Sequence, residues 1–338
     1  MNPERFELIT GNYSQLRIAI VGDFCLDRYL EIDPAKSETS IETGLEVHNV
    51  VNVRSQPGAA GTILNNLVAL GVGEILPVGF CGEDGEGFEL RRALSSKPGV
   101  QLDHFAQTPD RRTFTYCKPL VIATGKPPRE LNRLDSKNWS PTPQTVSERI
   151  VSSVRKLATR VSAIIIMDQV DLAETGVITR PVLDALGEAS NNAGLLLIAD
   201  SRRSLRGYPP VCLKMNATEF AAMTGTNANA SRGEIKATAR SMARSHGRAV
   251  FVTMSERGMI GATPEGEVDD VPVLPVRGEI DIVGAGDAVT ANLAASLARG
   301  ASIREAMAMA MAAASVVIHQ LGTTGTASVE QLRGALFE

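Results

Sequence analysis

The stretch Asp281-Ile-Val-Gly-Ala-Gly-Asp-Ala-Val289 sets two glycines and an acid at the mouth of an alanine-rich, helix-forming segment. Glycines at such a junction allow a tight turn whose backbone N–H groups point at one centre, and the helix N-terminus adds partial positive charge. A phosphate or a developing phosphoryl charge fits that cradle, with Asp287 beside it as a base. Plain turn chemistry with Asp287 as a helix cap satisfies the same residues, and the motif alone does not choose. Two other phosphate-binding signatures fail on spacing: Val289 stands where GxGxxG needs its third glycine, and no GxxxxGK[ST] occurs.

Other polar residues fall at telling places. Asp23, Asp168, Asp200 and Asn216 each end a continuous apolar run (RIAIVGD, AIIIMD, GLLLIAD, PVCLKMN), and Ser255 closes another, AVFVTMS. Such runs suit strands buried on both faces of a parallel sheet. The carboxyl ends of those strands face one way, and ligands bind outside them. Residues far apart in the chain would therefore converge on one edge. Any one strand-end aspartate also serves as a cap or turn former. Asn216 and Glu219, an N-x-x-E at a strand-to-helix junction, equally read as a capping box.

Strand runs, including EILPVGF (74–80), alternate with helical patterns at 62–70, 146–161, 179–191, 231–246, 287–299 and from Ser302 to before Gly322. The alternation predicts an α/β fold: a doubly wound, mainly parallel sheet flanked by helices. Residues 28–56 and 111–134 break the rhythm. GLEVHNVVNV (44–53) alternates with period two, 111–134 does so around a Gly/Pro-rich turn, and both segments predict antiparallel strands of a small lid sheet projecting from the core of one domain spanning 1–338.

Composition narrows the class. A net charge of −4 with scattered Lys and Arg leaves no footprint for nucleic acid. The four cysteines lie far apart without metal-ligand spacing, which predicts free thiols in a reducing, cytoplasmic setting. The charged N-terminus lacks a signal-peptide core, and the longest apolar run, Ala306–Ile318, falls short of the roughly 20 residues needed to span a bilayer.

DIVGAGDAVTANLAASLA resembles the signature of the ribokinase-like (PfkB) family of carbohydrate kinases. VGDFCLDRYL (21–30), PGAAGTILNNLVALG (57–71), TFTYCKP with ELNRLD (113–135), NATEF (216–220), VTMSERGM (252–259) and HQLGTTGTASVEQL (319–332) follow the family's order over nearly the whole chain. LDRYL, LNRLD and VTMSERGM most resemble the D-glycero-β-D-manno-heptose-7-phosphate kinase branch. The resemblance implies an ATP- and Mg²⁺-dependent transfer of the γ-phosphoryl group to a hydroxyl of a sugar or sugar phosphate. Asp287 would be the general base, with Gly284, Ala285 and Gly286 holding phosphoryl oxygens. ATP would meet Asn216, Thr253, Ser255, Gly258 and Gly322, and Glu219 would hold Mg²⁺ through water.

Asp27, Gly58, Asn66 and Asp168 would form the sugar site, and Arg112, Lys118 and Arg133 of the lid could meet a substrate phosphate. Asp281 has a weaker case and would steady its loop. A lid shared across a homodimer is also implied. The chain departs from the pattern at the sugar site: the paired glycine is Gly58-Ala59, and the asparagine that follows is Thr62. Asp171 stands where the heptose branch has a lysine, and an anion there would repel a phosphorylated substrate. No HxGH segment occurs before Glu338, as expected of a kinase-only form. The competing readings are a kinase for another monosaccharide and a non-catalytic sugar-binding relative, and an intact GAGD with its base favours catalysis.

Overall fold

The computed structural model describes residues 1–338 other than 124, 126 and 228, so two positions of the second lid segment lie outside the described residues. Nine strands form the main sheet, in the order Val268–Val271, Met259–Ala262, Val250–Thr253, Cys212–Asn216, Leu196–Ser201, Ala163–Asp168, Arg17–Gly22, Glu74–Gly82 and Phe105–Thr108. From Val250–Thr253 toward Phe105–Thr108 every neighbouring pair is parallel; Met259–Ala262 pairs antiparallel with both of its neighbours, Val268–Val271 and Val250–Thr253. The chain leaves Arg17–Gly22 toward Glu74–Gly82 and later returns on its other side at Ala163–Asp168. That reversal is a topological switch point, where a crevice opens at the carboxyl ends.

Alternation along the buried strands divides the core into two layers. Ile18 and Ile20 pack with helices Ala60–Ala69, Ala285–Ala298 and Ile303–Ile318. Ala19 and Val21 pack with helices Gln144–Leu157, Arg180–Ala189 and Arg232–His246. The stripe Val146, Ile150, Val154 and Leu157 is buried, as its helical spacing predicts. Each such side chain contributes about 1.5–3 kcal/mol. Ala285–Ala298 is buried along nearly its whole length from Asp287 to Ser296. Its alanines favour the helix and let neighbouring helices approach closely.

The lid is a sheet ordered Leu134–Ser136, Thr115–Val121, Phe24–Ile32, Val50–Ala59, with Arg129–Glu130 pairing Thr115–Val121. Its outer pairings are antiparallel as expected, but the central one, Phe24–Ile32 with Thr115–Val121, is parallel. Both central strands leave the core on the same side and must run outward together, while their partners return. The sheet also reaches further inward than 28–56, beginning at Phe24 and ending at Ala59. Asp27 therefore lies on a strand and is buried. Period-two alternation in 44–53 does not mark a buried face, since Val50–Ser55 is exposed throughout.

Helices Pro3–Thr10, Gly85–Ser95 and Val329–Phe337 escaped the periodicity, yet each carries a start signal. Asn2 caps Arg5 N–H ahead of Pro3, Asp84 caps Gly87 N–H, and Ser328 and Gln331 form a capping box. Among the described residues no helix is long and apolar enough to cross a membrane.

Candidate active site

Gly284 takes φ 83°, and its Cα faces Thr324, which would crowd any side chain placed there. This turn starts the helix Ala285–Ala298. Ala285 N–H donates to Ile282 O at 3.3 Å, while the Gly286 and Asp287 N–H groups find no acceptor among the described residues. They remain open as anion donors at the positive end of a fourteen-residue helix. Asp287 sits in that first turn, buried, with no hydrogen-bond partner for its carboxylate among the described residues. Burial, with the charge of Asp200 second, raises its carboxyl to about 7, against opposition from Arg202 and Lys214.

The strand ends converge as expected, and their partners sort them. Asp23 is tied down by backbone: Gln169 N–H at 2.9 Å and Val177 N–H at 2.7 Å both donate to it. Burial and the nearby Asp168 raise it to about 7. Its work is to lock the first strand to the loop after Ala163–Asp168. Asp168 is fully buried and accepts at Oδ2 from Ser201 Oγ (3.0 Å), Arg203 Nη2 (2.8 Å) and Tyr208 OH (3.0 Å). Its Oδ1 has no partner among the described residues. Asp200 Oδ2 accepts from Lys214 Nζ at 2.6 Å and Thr290 Oγ1 at 3.1 Å.

Asn216 and Glu219 form the capping box: Glu219 N–H donates to Asn216 Oδ1 at 2.9 Å, and Asn216 N–H to Glu219 Oε2 at 2.8 Å. Burial raises the Glu219 carboxyl, with Asp200 adding to it. Thr253 Oγ1 lies 3.5 Å from Met215 O. Ser255 adopts φ 49° and Gly258 φ 82°, and a Cβ on Gly258 would strike Val271 O at 2.1 Å. Gly258 is required by that turn. Asp281 accepts from Val283 N–H at 3.0 Å and Gly322 N–H at 3.2 Å, fastening the glycine turn to the 322–326 loop. This is the loop-steadying role foreseen for it. Ile280, Ile282, Val283 and Leu321 leave an exposed apolar rim around the joint.

On the lid side, burial raises the Asp27 carboxyl, opposed by Lys118 and Arg133. A Cβ on Gly58 would fall 2.6 Å from Asp27 Oδ2 and 2.8 Å from Cys25 Sγ, so only glycine leaves Asp27 its place. Asn66 is fully buried, its amide donated to Thr62 O (3.0 Å) and Gly325 O (3.4 Å), bracing its helix against the 322–326 loop. Gln56 of the lid bridges Thr324 and Thr323 at 2.8 and 3.3 Å, so lid and loop meet.

The three lid cations separate. Lys118 stands half-buried over the Tyr29 ring; Arg133 lies over Tyr116 and pairs at 2.5 Å with Asp135, and Arg112 pairs at 3.7 Å with Asp84. Asp171 pairs with Lys137 at 2.7 Å, so the anion expected to repel a phosphate is compensated.

Lys214 escaped the sequence reading, although it had a signal. A lysine inside the apolar run PVCLKMN must be partnered once the strand is buried. Thr290, one helical turn beyond Gly286, gave none.

The family model of pfkB family carbohydrate kinases matches residues 17–330. The bifunctional protein HldE of Granulibacter bethesdensis is 29% identical over 335 residues, covering 97% of this chain and 66% of that protein. That of Gluconacetobacter diazotrophicus is 30% identical over 328 residues, covering 96% and 64%. The chain thus spans about two thirds of the length of these relatives. A structure of Arabidopsis thaliana ribokinase complexed with ribose and ATP superposes with TM-score 0.68 at 19% identity, covering 96% of this chain and 99% of that one. Phosphofructokinase-2 from Escherichia coli in complex with substrates and products gives 0.71 at 16% identity, covering 95% and 98%. These likenesses establish a ribokinase-like fold. By the family match, which runs from the first strand of the main sheet into the last helix, the chain belongs to the pfkB family of carbohydrate kinases, phosphotransferases with an alcohol group as acceptor.

Proposed function

We propose that the protein transfers the γ-phosphoryl group of ATP to a hydroxyl of a sugar or sugar phosphate, a heptose 7-phosphate first among acceptors, with Asp287 as general base. The observation that carries this is the buried Asp287 carboxylate, without a hydrogen-bond partner among the described residues, beside the Gly286 and Asp287 amides that are likewise open among them, with its pKa brought to about 7. A base is most useful when its pKa lies near the working pH. Asp287 takes the acceptor proton as the hydroxyl oxygen bonds to the γ-phosphorus. The bond to the β–γ bridging oxygen breaks, and ADP leaves. The turn amides meet the phosphoryl charge, so catalysis is positioning and electrostatics.

Asp27 orients the sugar hydroxyls from the lid, where Gly58 keeps its carboxylate clear. Asp168 ends its strand at the same sheet edge, while Asn66 holds the 322–326 loop. Lys118 and Arg133 supply cations for a phosphate on the acceptor. The apolar rim of Ile280, Ile282, Val283 and Leu321 suits a nucleobase. Mg²⁺ would neutralise phosphate charge when bound. Glu219 has one oxygen committed to the cap and the other without a partner among the described residues, which fits holding the ion through water. Among the described residues no three His, Cys, Asp or Glu side chains gather as a direct metal cage.

The exposed edge strand Val50–Ala59, with Val50, Val51 and Val53 uncovered, suits a homodimer through the lid. A cytoplasmic setting accords with the free thiols of Cys25, Cys81, Cys117 and Cys212. The test is ADP release with Mg-ATP over a sugar panel that includes D-glycero-D-manno-heptose 7-phosphate, with Asp287→Asn alongside. Turnover on one sugar that is lost in the variant supports the assignment. ATP binding without turnover on any sugar favours a binding protein.

A further inference from the structure

Lys214 is the least expected group in the site. Its side chain is 7% exposed, in the middle of a strand, and Asp200 accepts from it at 2.6 Å. An ammonium has three N–H groups, and Asp200 takes one. Among the described residues no acceptor meets the other two. A cation buried only to pair with a carboxylate would have its remaining donors satisfied by its surroundings, since unmet buried donors are costly.

The direction in which those donors look is set by the glycine turn. A Cβ built on Gly286 would lie 3.3 Å from Lys214 Nζ, so the ammonium rests directly against the second glycine of the anion cradle. The pair is also anchored from the helix side. Thr290 Oγ1 lies 3.1 Å from the same Asp200 oxygen and 3.0 Å from Gly286 O, which ties the carboxylate to the turn itself. Lys214, Asp200, Thr290 and Gly286 thus form one connected unit from three different elements.

We propose that Lys214 is a catalytic cation of the phosphoryl transfer. Its two open N–H groups take a non-bridging oxygen of the γ-phosphoryl group seated at the Gly284–Gly286 turn. Asp200, steadied by Thr290, is the positioning residue that keeps the ammonium beneath the turn. The assignment rests on the kinase function proposed above. It adds a fixed positive charge to backbone donors that carry only partial charge, where the transferring group is most negative. Charge on Asp287 is balanced by the same unit, since Asp200 disfavours its ionisation and Lys214 favours it.

The test compares nucleotide binding and turnover in the full chain. With Mg²⁺ present, Lys214→Met should weaken binding of AMP-PNP at least tenfold and of ADP by less than about threefold, because only the former carries a γ-phosphoryl group. kcat on the sugar accepted in the panel should fall by a factor of about a hundred. Removing the lysine alone leaves Asp200 buried without its cation. The double variant Asp200→Asn/Lys214→Met removes both charges and should show the same AMP-PNP defect with a melting temperature near that of the parent.

Asp200→Asn should retain AMP-PNP binding better than Lys214→Met and move the acid limb of kcat/KM to lower pH. Equal losses for AMP-PNP and ADP, or a double variant that binds and turns over normally, would overturn the assignment while leaving the kinase function intact. Failure of the unaltered protein to bind either nucleotide would overturn both.

Discussion

Replacing the proposed base by its neutral isostere should abolish turnover and stabilise the protein. The Asp287 carboxyl, ordinarily near 3.8, sits at about 7 in the folded state, chiefly because it is buried and next because Asp200 is near. It therefore holds its proton more tightly folded than unfolded. Below pH 3.8 both states are protonated and folding carries no penalty from this group. Between there and about pH 7 the penalty grows, and above that it is constant. At 1.36 kcal/mol per pKa unit it reaches about 1.7 kcal/mol at pH 5.0 and about 4 kcal/mol at pH 8.0.

The amide introduced by Asp287→Asn carries no charge at either pH, so the variant should exceed the parent in stability by those amounts. For 338 residues the unfolding entropy is about 0.7 kcal/mol per kelvin. The melting temperature should then rise by roughly 2 °C at pH 5.0 and roughly 6 °C at pH 8.0. Paired thermal melts in matched buffers read this directly, with ADP release confirming the lost turnover. A variant less stable than the parent at pH 8.0, or a gain independent of pH, would refute the argument that Asp287 is a strained, buried base.

Four further outcomes follow from the same geometry. The kcat/KM profile should rise with pH through a limb near 7 as Asp287 ionises, and a limb below about pH 5 would remove it as the base. Gly58→Ala places a methyl 2.6 Å from Asp27 Oδ2. The sugar KM should rise about tenfold or more, with the ATP KM little changed, and steady-state kinetics in each substrate decide it. Glu219→Gln keeps an oxygen for the Asn216 N–H, so melting should hardly move, while the Mg²⁺ concentration for half-maximal activity rises about tenfold if the carboxylate holds the ion. Asp171→Asn breaks an exposed pair worth about 0–1 kcal/mol and frees Lys137, so stability is kept. A phosphorylated acceptor should then show a KM a few-fold lower, by competition with its unphosphorylated form.

What was legible before the structure was legible for physical reasons. Short continuous apolar runs ending in Asp168, Asp200 or Asn216 suit strands buried on both faces, and parallel packing then brings their ends to one edge. The glycine turn before Asp287 was visible because few residues other than glycine enter that conformation, and the capping box at Asn216 because its spacing is a local hydrogen-bond rule. Edge behaviour was less legible. Alternation in 44–53 resembled a half-buried strand, yet Val50–Ser55 is exposed on both faces, because alternation records side-chain type and not what covers it.

The amino-acid order by itself determined the α/β class, the edge at which the polar residues meet, the lid segments and the candidate base. These rest on periodicity and turn chemistry, which act over a few residues. Tertiary structure alone decided how the polar groups divide their labour. Asp23 became a backbone clamp, Asp168 the acceptor of three side-chain donors, and Asp200 the partner of Lys214. Those pairings join residues up to 154 positions apart, as between Asp23 and Val177. No local rule reports them, because burial makes each charge seek whichever partner the sheet brings within hydrogen-bond reach.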